Sequence, residues 1–224
     1  MNRRALLAAL AASAAATPAW AQYGFSEADA ARGIREALNL AAQGATSRLG
    51  RVDGFWSAPR VRIPLPSLLA RTQRSLQPMG MSGPLDDLQE SLNHAAETTM
   101  PQAARLFSNA IRSITVSDAI GIVRGGEDSA TRYLRGRTET SLNGLLKPPM
   151  TTALTQSGAF TLMRSALRQV GMASASGEVR TQIIDFSTQK ALDGCFLYIA
   201  DEERQIRRDP VRRTTSILRR VFGG

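Results

Sequence analysis

The residues best placed to do chemistry lie in the run DDLQESLNHAAE, where Glu90, Asn93, His94 and Glu97 follow one another at helical intervals. Glu90 and His94 are four apart and His94 and Glu97 three apart, so on a helix all three could reach one cation. A second helix would have to supply the remaining ligands. A di-metal carboxylate bundle takes a Glu-x-x-His pair from each of two helices, and His94 is the only histidine of the chain. The expectation is therefore a polar, solvated or partly buried face. Glu90, Asn93, His94 and Glu97 form a candidate polar site, and no metal or cofactor is assigned.

Other chemistries find less support. The lone thiol, Cys195, stands beside Phe196 and Ile199 on an apolar face, where it packs rather than reacts. A Ser-His pair would have to use His94, and no nucleophile-elbow motif surrounds any serine. Gly125-Gly126 precedes a helix, but Glu127 and Asp128 occupy its first turn, repelling phosphate and satisfying the amides themselves. There is no Walker lysine and no G-x-G-x-x-G. No catalytic residue is assigned. An enzyme working through carboxylates alone, such as Glu97 with Asp193 or Asp201, stays open without being selected by spacing.

Charged clusters are the second kind of candidate. Glu203 and Arg207 have the spacing of a helical ion pair within the solvated-looking face Asp201-Glu202-Glu203-Arg204. Arg60 and Arg62 alternate with Val61, Ile63 and Leu65 in APRVRIPLP, residues 58–66, bracketed by Pro59, Pro64 and Pro66. No helix tolerates that pattern. It reads as an extended strap across helices with Ile63 and Leu65 buried and the arginines outward, the other reading being a partner-facing segment. Near the end, Val211, Ile217, Leu218, Val221 and Phe222 share one arc of a helix expected over 210–222, with Arg212, Arg213, Arg219 and Arg220 opposite. That arc either docks on the bundle, the favoured reading, or lies on an anionic membrane. The six arginines are candidate partner or surface contacts.

The elements that position these groups are helices. Ser26 and Asp29 open a helix carrying Ile34, Leu38, Ala41, Ala45 and Leu49, which Gly50 ends. Pro66-Ser67 launches a second that stops before Gly80. A third starts near Pro84 with Leu85, Leu88, Leu92, Ala95 and Ala96 inward, and is kinked or divided at Pro101. Thr115 and Asp118 cap a short helix to Val123. Another carries Ala130, Tyr133 and Leu134, and the helical pattern continues from Thr138, interrupted at Pro148-Pro149, to Gly171. After a loop at 172–177, Ser187 or Thr188 opens a helix bearing Leu192, Cys195, Phe196, Ile199 and Ile206. With no run of strands and no repeat, the fold is expected to be all-α, an irregular multi-helix bundle with one extended strap.

The start MNRRALLAALAASAAATPAWAQ has a basic n-region, a short apolar run and the small-x-small site Ala19-Trp20-Ala21. Residues 1–21 read as a signal peptide cleaved near Ala21-Gln22, by the general secretory or the twin-arginine route. Residues 22–224 read as one α-helical domain of the periplasm. No later segment approaches the ~20 apolar residues that span a bilayer. Without Arg3 and Arg4, 28 basic residues against 19 acidic leave a net charge of +7. In an exported protein such charge suits anionic lipid, wall polymer or an acidic partner. With 5% aromatics there is little to stack on bases, so nucleic acid is not an expected partner.

Several stretches together, VRIPLP (61–66), ESLNHAAE (90–97), SDAIGIVRGGEDSATRYLR (117–135), QKALDGCFLYIADEERQIRRDPVRRTT (189–215) and LRRVFG (218–223), resemble a bacterial family of exported helical proteins catalogued as domain of unknown function number 4197. The resemblance runs from about Glu27 to Gly223. It implies an all-helical exported domain, lipid-anchored in relatives, with no catalytic residues to carry over. This chain has no cysteine at the cleavage point, so lipid anchoring is not expected. The combined expectation is a non-catalytic binding or scaffold module acting on a partner protein or an anionic envelope surface. A carboxylate-dependent envelope hydrolase and a carrier of an apolar ligand between helices are the alternatives.

Overall fold

The computed structural model describes residues 26–169, 174 and 176–222. The expected leader with its cleavage point, the expected stop at Gly171, residues 172, 173 and 175 of the expected 172–177 loop, and Gly223 lie outside the described residues. Eight α-helices and no strand occur among the described residues: α1 (Glu27–Leu49), α2 (Ser67–Leu76), α3 (Gly83–Arg112), α4 (Val116–Arg124), α5 (Ser129–Gln156), α6 (Ala159–Gln169), α7 (Ser176–Arg208) and α8 (Ser216–Phe222).

Local chemistry sets several of the boundaries. Ser26 and Asp29 form a capping box, the Asp29 amide donating to Ser26 Oγ and the Ser26 amide to the Asp29 carboxylate. Thr115 and Asp118 repeat it at α4. Gly80 takes the left-handed conformation that ends the turn after α2, at φ +66°.

Three expectations are corrected. Helix α5 runs through Pro148 and Pro149 and breaks instead at Gly158, whose φ of +73° a helix cannot continue. Helix α7 begins at Ser176, not at Ser187 or Thr188. Those two residues are fully buried in mid-helix, and packing of Ile183 and Ile184 carries the helix across them. The terminal helix is not continuous over 210–222. Asp209 Oδ1 accepts from the Val211 amide at 2.9 Å, but only one 3-10 turn, Pro210–Arg212, follows before α8 starts afresh. Val211 therefore leaves the apolar arc and is 83% exposed.

The four long helices make the core. Helix α1 packs on α3 and α7, and α5 packs on the same two from the other side. Lys147 pairs with Asp185 and Arg135 with Asp193, so α5 and α7 run antiparallel. Phe107 of α3 and Phe196 of α7 meet edge-to-face, their centroids 5.7 Å apart across the bundle. The short helices are laid outside, α4 and α8 on α1, α2 beside α3, and α6 against α5 and α7. Helix α3 passes through Pro101 without ending.

Ile217, Leu218 and Val221 bury the apolar arc of α8 against the bundle. Gly33 of α1 makes this contact possible, because a Cβ there would stand 2.7 Å from Val221 Cγ2. No single helix among the described residues is long and apolar enough to cross a membrane.

Candidate functional site

The extended segment is a strap. Val61, Ile63 and Leu65 are buried, while Arg60 and Arg62 point outward. The candidate polar residues of α3 hold it down. Asn93, fully buried, accepts from the Ile63 amide at 2.8 Å and donates from Nδ2 to the Ile63 carbonyl at 3.0 Å. Its side-chain amide thus replaces the neighbouring strand that the prolines around Ile63 would frustrate.

One helical turn further along α3, the Glu97 carboxylate receives three backbone amides. Phe55 donates to Oε1 at 2.9 Å, Trp56 to Oε1 at 3.2 Å and Asp53 to Oε2 at 3.1 Å. Converging amides of this kind form a nest that favours an anion, and here the protein supplies the anion itself. Asp53 pays for the sharp turn with φ +61°. His94 Nε2 lies 3.0 Å from Asp53 Oδ1 and steadies that turn from outside. Glu90 is exposed and bonds to nothing among the described residues. The polar face therefore clamps a loop. Among the described residues no group of three or more His, Cys, Asp or Glu is placed to hold a metal ion.

On the other side, Gly194 of α7 lets the strap close. A Cβ there would stand 3.0 Å from Val61 Cβ and 3.2 Å from Phe55 Cε1.

Glu203 is a second structural carboxylate, and the reading of its cluster as a wholly solvated face is corrected. It is 3% exposed and accepts from the amides of Ala130 (3.0 Å) and Thr131 (2.8 Å) and the Thr131 hydroxyl (2.7 Å). It thus does for α5 what Glu127 and Asp128 were expected to do. Arg207 holds it, donating from Nε to Glu203 at 3.0 Å and from Nη2 to the Ile122 carbonyl and Ser129 Oγ. The Glu203–Arg207 pair was legible from its spacing, but the capping of α5 was not, because those donors and their acceptor lie more than seventy positions apart.

The six arginines are not gathered into one patch. Arg60 pairs with Asp201 at 2.8 Å, and Arg62 stacks 4.7 Å from the Trp56 ring centroid. Arg213 caps the end of α7 by donating to the carbonyls of Ile206 (3.1 Å) and Arg207 (2.7 Å). Arg212 reaches Glu202 at 3.9 Å, Arg220 reaches Asp29 at 3.3 Å, and Arg219 donates to the Arg213 and Thr214 carbonyls. The carboxylates left open for catalysis are engaged as well, Asp193 by Arg135 and Gln189, and Asp201 by Arg60 and Arg204.

One feature open to solvent is built largely from residues that sequence inspection did not single out. A groove of about 370 Å³ runs between α2 and α6 over the start of α3, with Leu68, Leu69, Leu76, Met81, Leu85, Leu162 and Met163 as its large apolar lining. Leu68, Met81 and Leu162 are 69%, 61% and 57% exposed. Thr72 is the only polar side chain in the lining. The signal for it was present but split, since α2 and α6 each carry apolar residues on one face and lie some ninety positions apart.

Residues 24–223 match the family described as protein of unknown function, DUF4197. The chain belongs to this family. No curated protein and no solved structure matches it significantly. In this DUF4197 chain the match spans all eight helices, so the strap, both buried glutamates and the groove lie inside the family domain.

Cys195 takes no part in any of these arrangements. It is buried among apolar neighbours, which pushes its thiol up to about 12 and keeps it protonated.

Proposed function

We propose that this DUF4197 chain is an exported, non-catalytic helical binding module of the periplasm whose working surface is the groove between α2 and α6. The observation that carries the reading is the exposure of Leu68, Met81 and Leu162 along one continuous apolar channel. A folded chain leaves such a channel open where something is to be held. Export rests on the basic, apolar and small-residue pattern of residues 1–21.

Of the roles left open by the sequence, holding apolar matter between helices is the one this geometry favours. A carboxylate hydrolase needs an acid open to substrate, whereas Glu97 and Glu203 are buried and occupied by backbone amides. Attachment to an anionic envelope surface through the terminal helix needs its apolar arc, and Ile217, Leu218 and Val221 spend that arc on the bundle.

The test is binding of N-phenyl-1-naphthylamine, whose fluorescence rises on entering an apolar site, to the chain from Gln22 and to Leu68→Ser/Leu162→Asp. Both replaced side chains are exposed, so folding is retained and is checked by thermal melting. Loss of the signal in the variant is expected. An equal signal in both proteins would place the apolar site elsewhere and overturn the reading.

A further inference from the structure

Thioether sulfur is gathered at the groove. Met81 and Met163 line it, and Met79 ends the 3-10 turn Gln77–Met79 just ahead of Met81, whereas Met100 and Met150 are buried in the bundle. Met79 and Met81 are 62% and 61% exposed. Cys195 does not compete with them for an oxidant, because it is buried and its thiol stays protonated. The backbone fixes the place of Met81. Its amide donates to the Leu76 carbonyl at 3.1 Å across the left-handed Gly80, a bond that closes the helix end, and the two residues so joined both line the groove.

We infer that Met81, with Met79 beside it, is a site of reversible oxidation, and that its sulfoxide closes the groove to apolar ligands. This rests on the binding-module reading and adds its regulation. The oxidant is a peroxide. A sulfur lone pair attacks one peroxide oxygen and an S–O bond forms as the O–O bond breaks. The sulfur is oxidised by two electrons, and the proton of the transferred oxygen passes to the departing hydroxide, which leaves as water. A dithiol reductase reverses the step, removing the oxygen as water while its two thiols close to a disulfide.

The effect on the groove follows from its lining. A thioether is apolar and adapts to irregular shapes, whereas a sulfoxide carries an acceptor oxygen that is costly to bury without a hydrogen bond. Thr72 holds the only side-chain donor in the lining, and its hydroxyl already donates to the Leu68 carbonyl at 3.1 Å. The Ser82 hydroxyl, next in the chain to Met81, donates to Asp86 at 2.6 Å, and Gln73 Nε2 donates to the same carboxylate at 2.7 Å. An oxidised Met81 therefore turns to water, and a hydrocarbon chain that displaced this water would leave the oxygen bare. Export, as proposed above, would set these side chains outside the cytosol and its glutathione.

The test treats the chain starting at Gln22 with hydrogen peroxide, maps oxygen uptake by tandem mass spectrometry and, after the peroxide is removed, measures N-phenyl-1-naphthylamine binding. Met79 and Met81 should take up oxygen about tenfold faster than Met100 and Met150, and probe affinity should fall about tenfold with the melting temperature unchanged. Dithiothreitol with methionine sulfoxide reductases of both stereospecificities should restore binding. Met79→Leu/Met81→Leu keeps the groove apolar and should bind the probe equally before and after peroxide. Equal oxidation of exposed and buried methionines overturns the inference, and so does a double variant that loses binding on oxidation as the natural chain does. If the oxidised natural chain binds the probe as well as the untreated one, the inference fails and the binding-module reading stands. If the untreated chain does not bind the probe, both fail.

Discussion

Asn93 and Ile63 exchange two hydrogen bonds, the Ile63 amide donating to Oδ1 and Nδ2 donating back to the Ile63 carbonyl, at 2.8 and 3.0 Å. Through this one contact a residue of α3 performs the work of a paired strand for a segment whose prolines deny it one. Both side chain and backbone are buried, so neither bond can be exchanged for water.

Asn93→Ala should therefore strand the buried Ile63 amide, leave the Ile63 carbonyl with only a long 3.4 Å bond from Gln89 Nε2, and cost about 2–4 kcal/mol, which for a chain of this size lowers the melting temperature by roughly 6–12 °C. Calorimetry or circular dichroism decides it. A fall of less than ~2 °C would mean that the strap is held by Ile63 and Leu65 packing alone.

Glu97→Gln and Glu203→Gln each replace an acceptor pair by one acceptor and one donor aimed at amide donors. Each should cost about 1.5–3 kcal/mol. The two sites share no partner, so the double variant should lose the sum of the two within about 0.5 kcal/mol. Urea unfolding measures all three. Strong non-additivity would show that the loop at 53–56 and the start of α5 are coupled.

The Asp118 carboxyl is held below the usual carboxylate range by the Thr115 hydroxyl and amide, with the Tyr133 hydroxyl adding a further bond at 2.9 Å. Because its folded value is depressed, its contribution to stability is present above the unfolded value of ~3.9 and is lost as pH falls through the folded one. The stability gap between the natural chain and Asp118→Asn should be constant between about pH 5 and 7 and close below about pH 4. Urea titrations across that range test it, and a gap that persists undiminished at pH 2.5 would assign the loss to packing instead.

Gly33→Ala sets a Cβ where Val221 Cγ2 now sits, 2.7 Å away. The expected result is that α8 lifts while the four long helices remain. Proteolysis within residues 209–222 should quicken at least tenfold, with a stability loss of about 1–3 kcal/mol. Unchanged cleavage would show that α1 shifts to accommodate the methyl group.

Much of the fold could be read directly. Capping boxes at Ser26 and Thr115 and the spacing of Ile34, Leu38 and Leu49 act over one or two turns, so sequence reveals them without help from the rest of the chain. The same holds for the strap, where proline removes amide donors and strict alternation leaves one face apolar. By itself, then, the sequence determined the helical class, several helix starts and which side of the strap turns inward.

Tertiary structure decided the rest, because the deciding contacts join distant positions. Ser187 and Thr188 resemble caps until packing carries α7 across them. Glu97 looked like a metal ligand or a solvated acid because its amide donors lie more than forty residues away, and Glu203 looked solvated because its own lie more than seventy away. For the terminal arc the bundle was favoured with a membrane left open, and the tertiary structure decided it by giving Val221 a seat at Gly33. Hydrophobic periodicity states that a face will be buried but not against what, since burial is non-directional. Hydrogen bonds to buried carboxylates are directional, yet their partners are chosen by the packing of α1, α3, α5 and α7, and only that packing left α2 and α6 with an apolar channel between them.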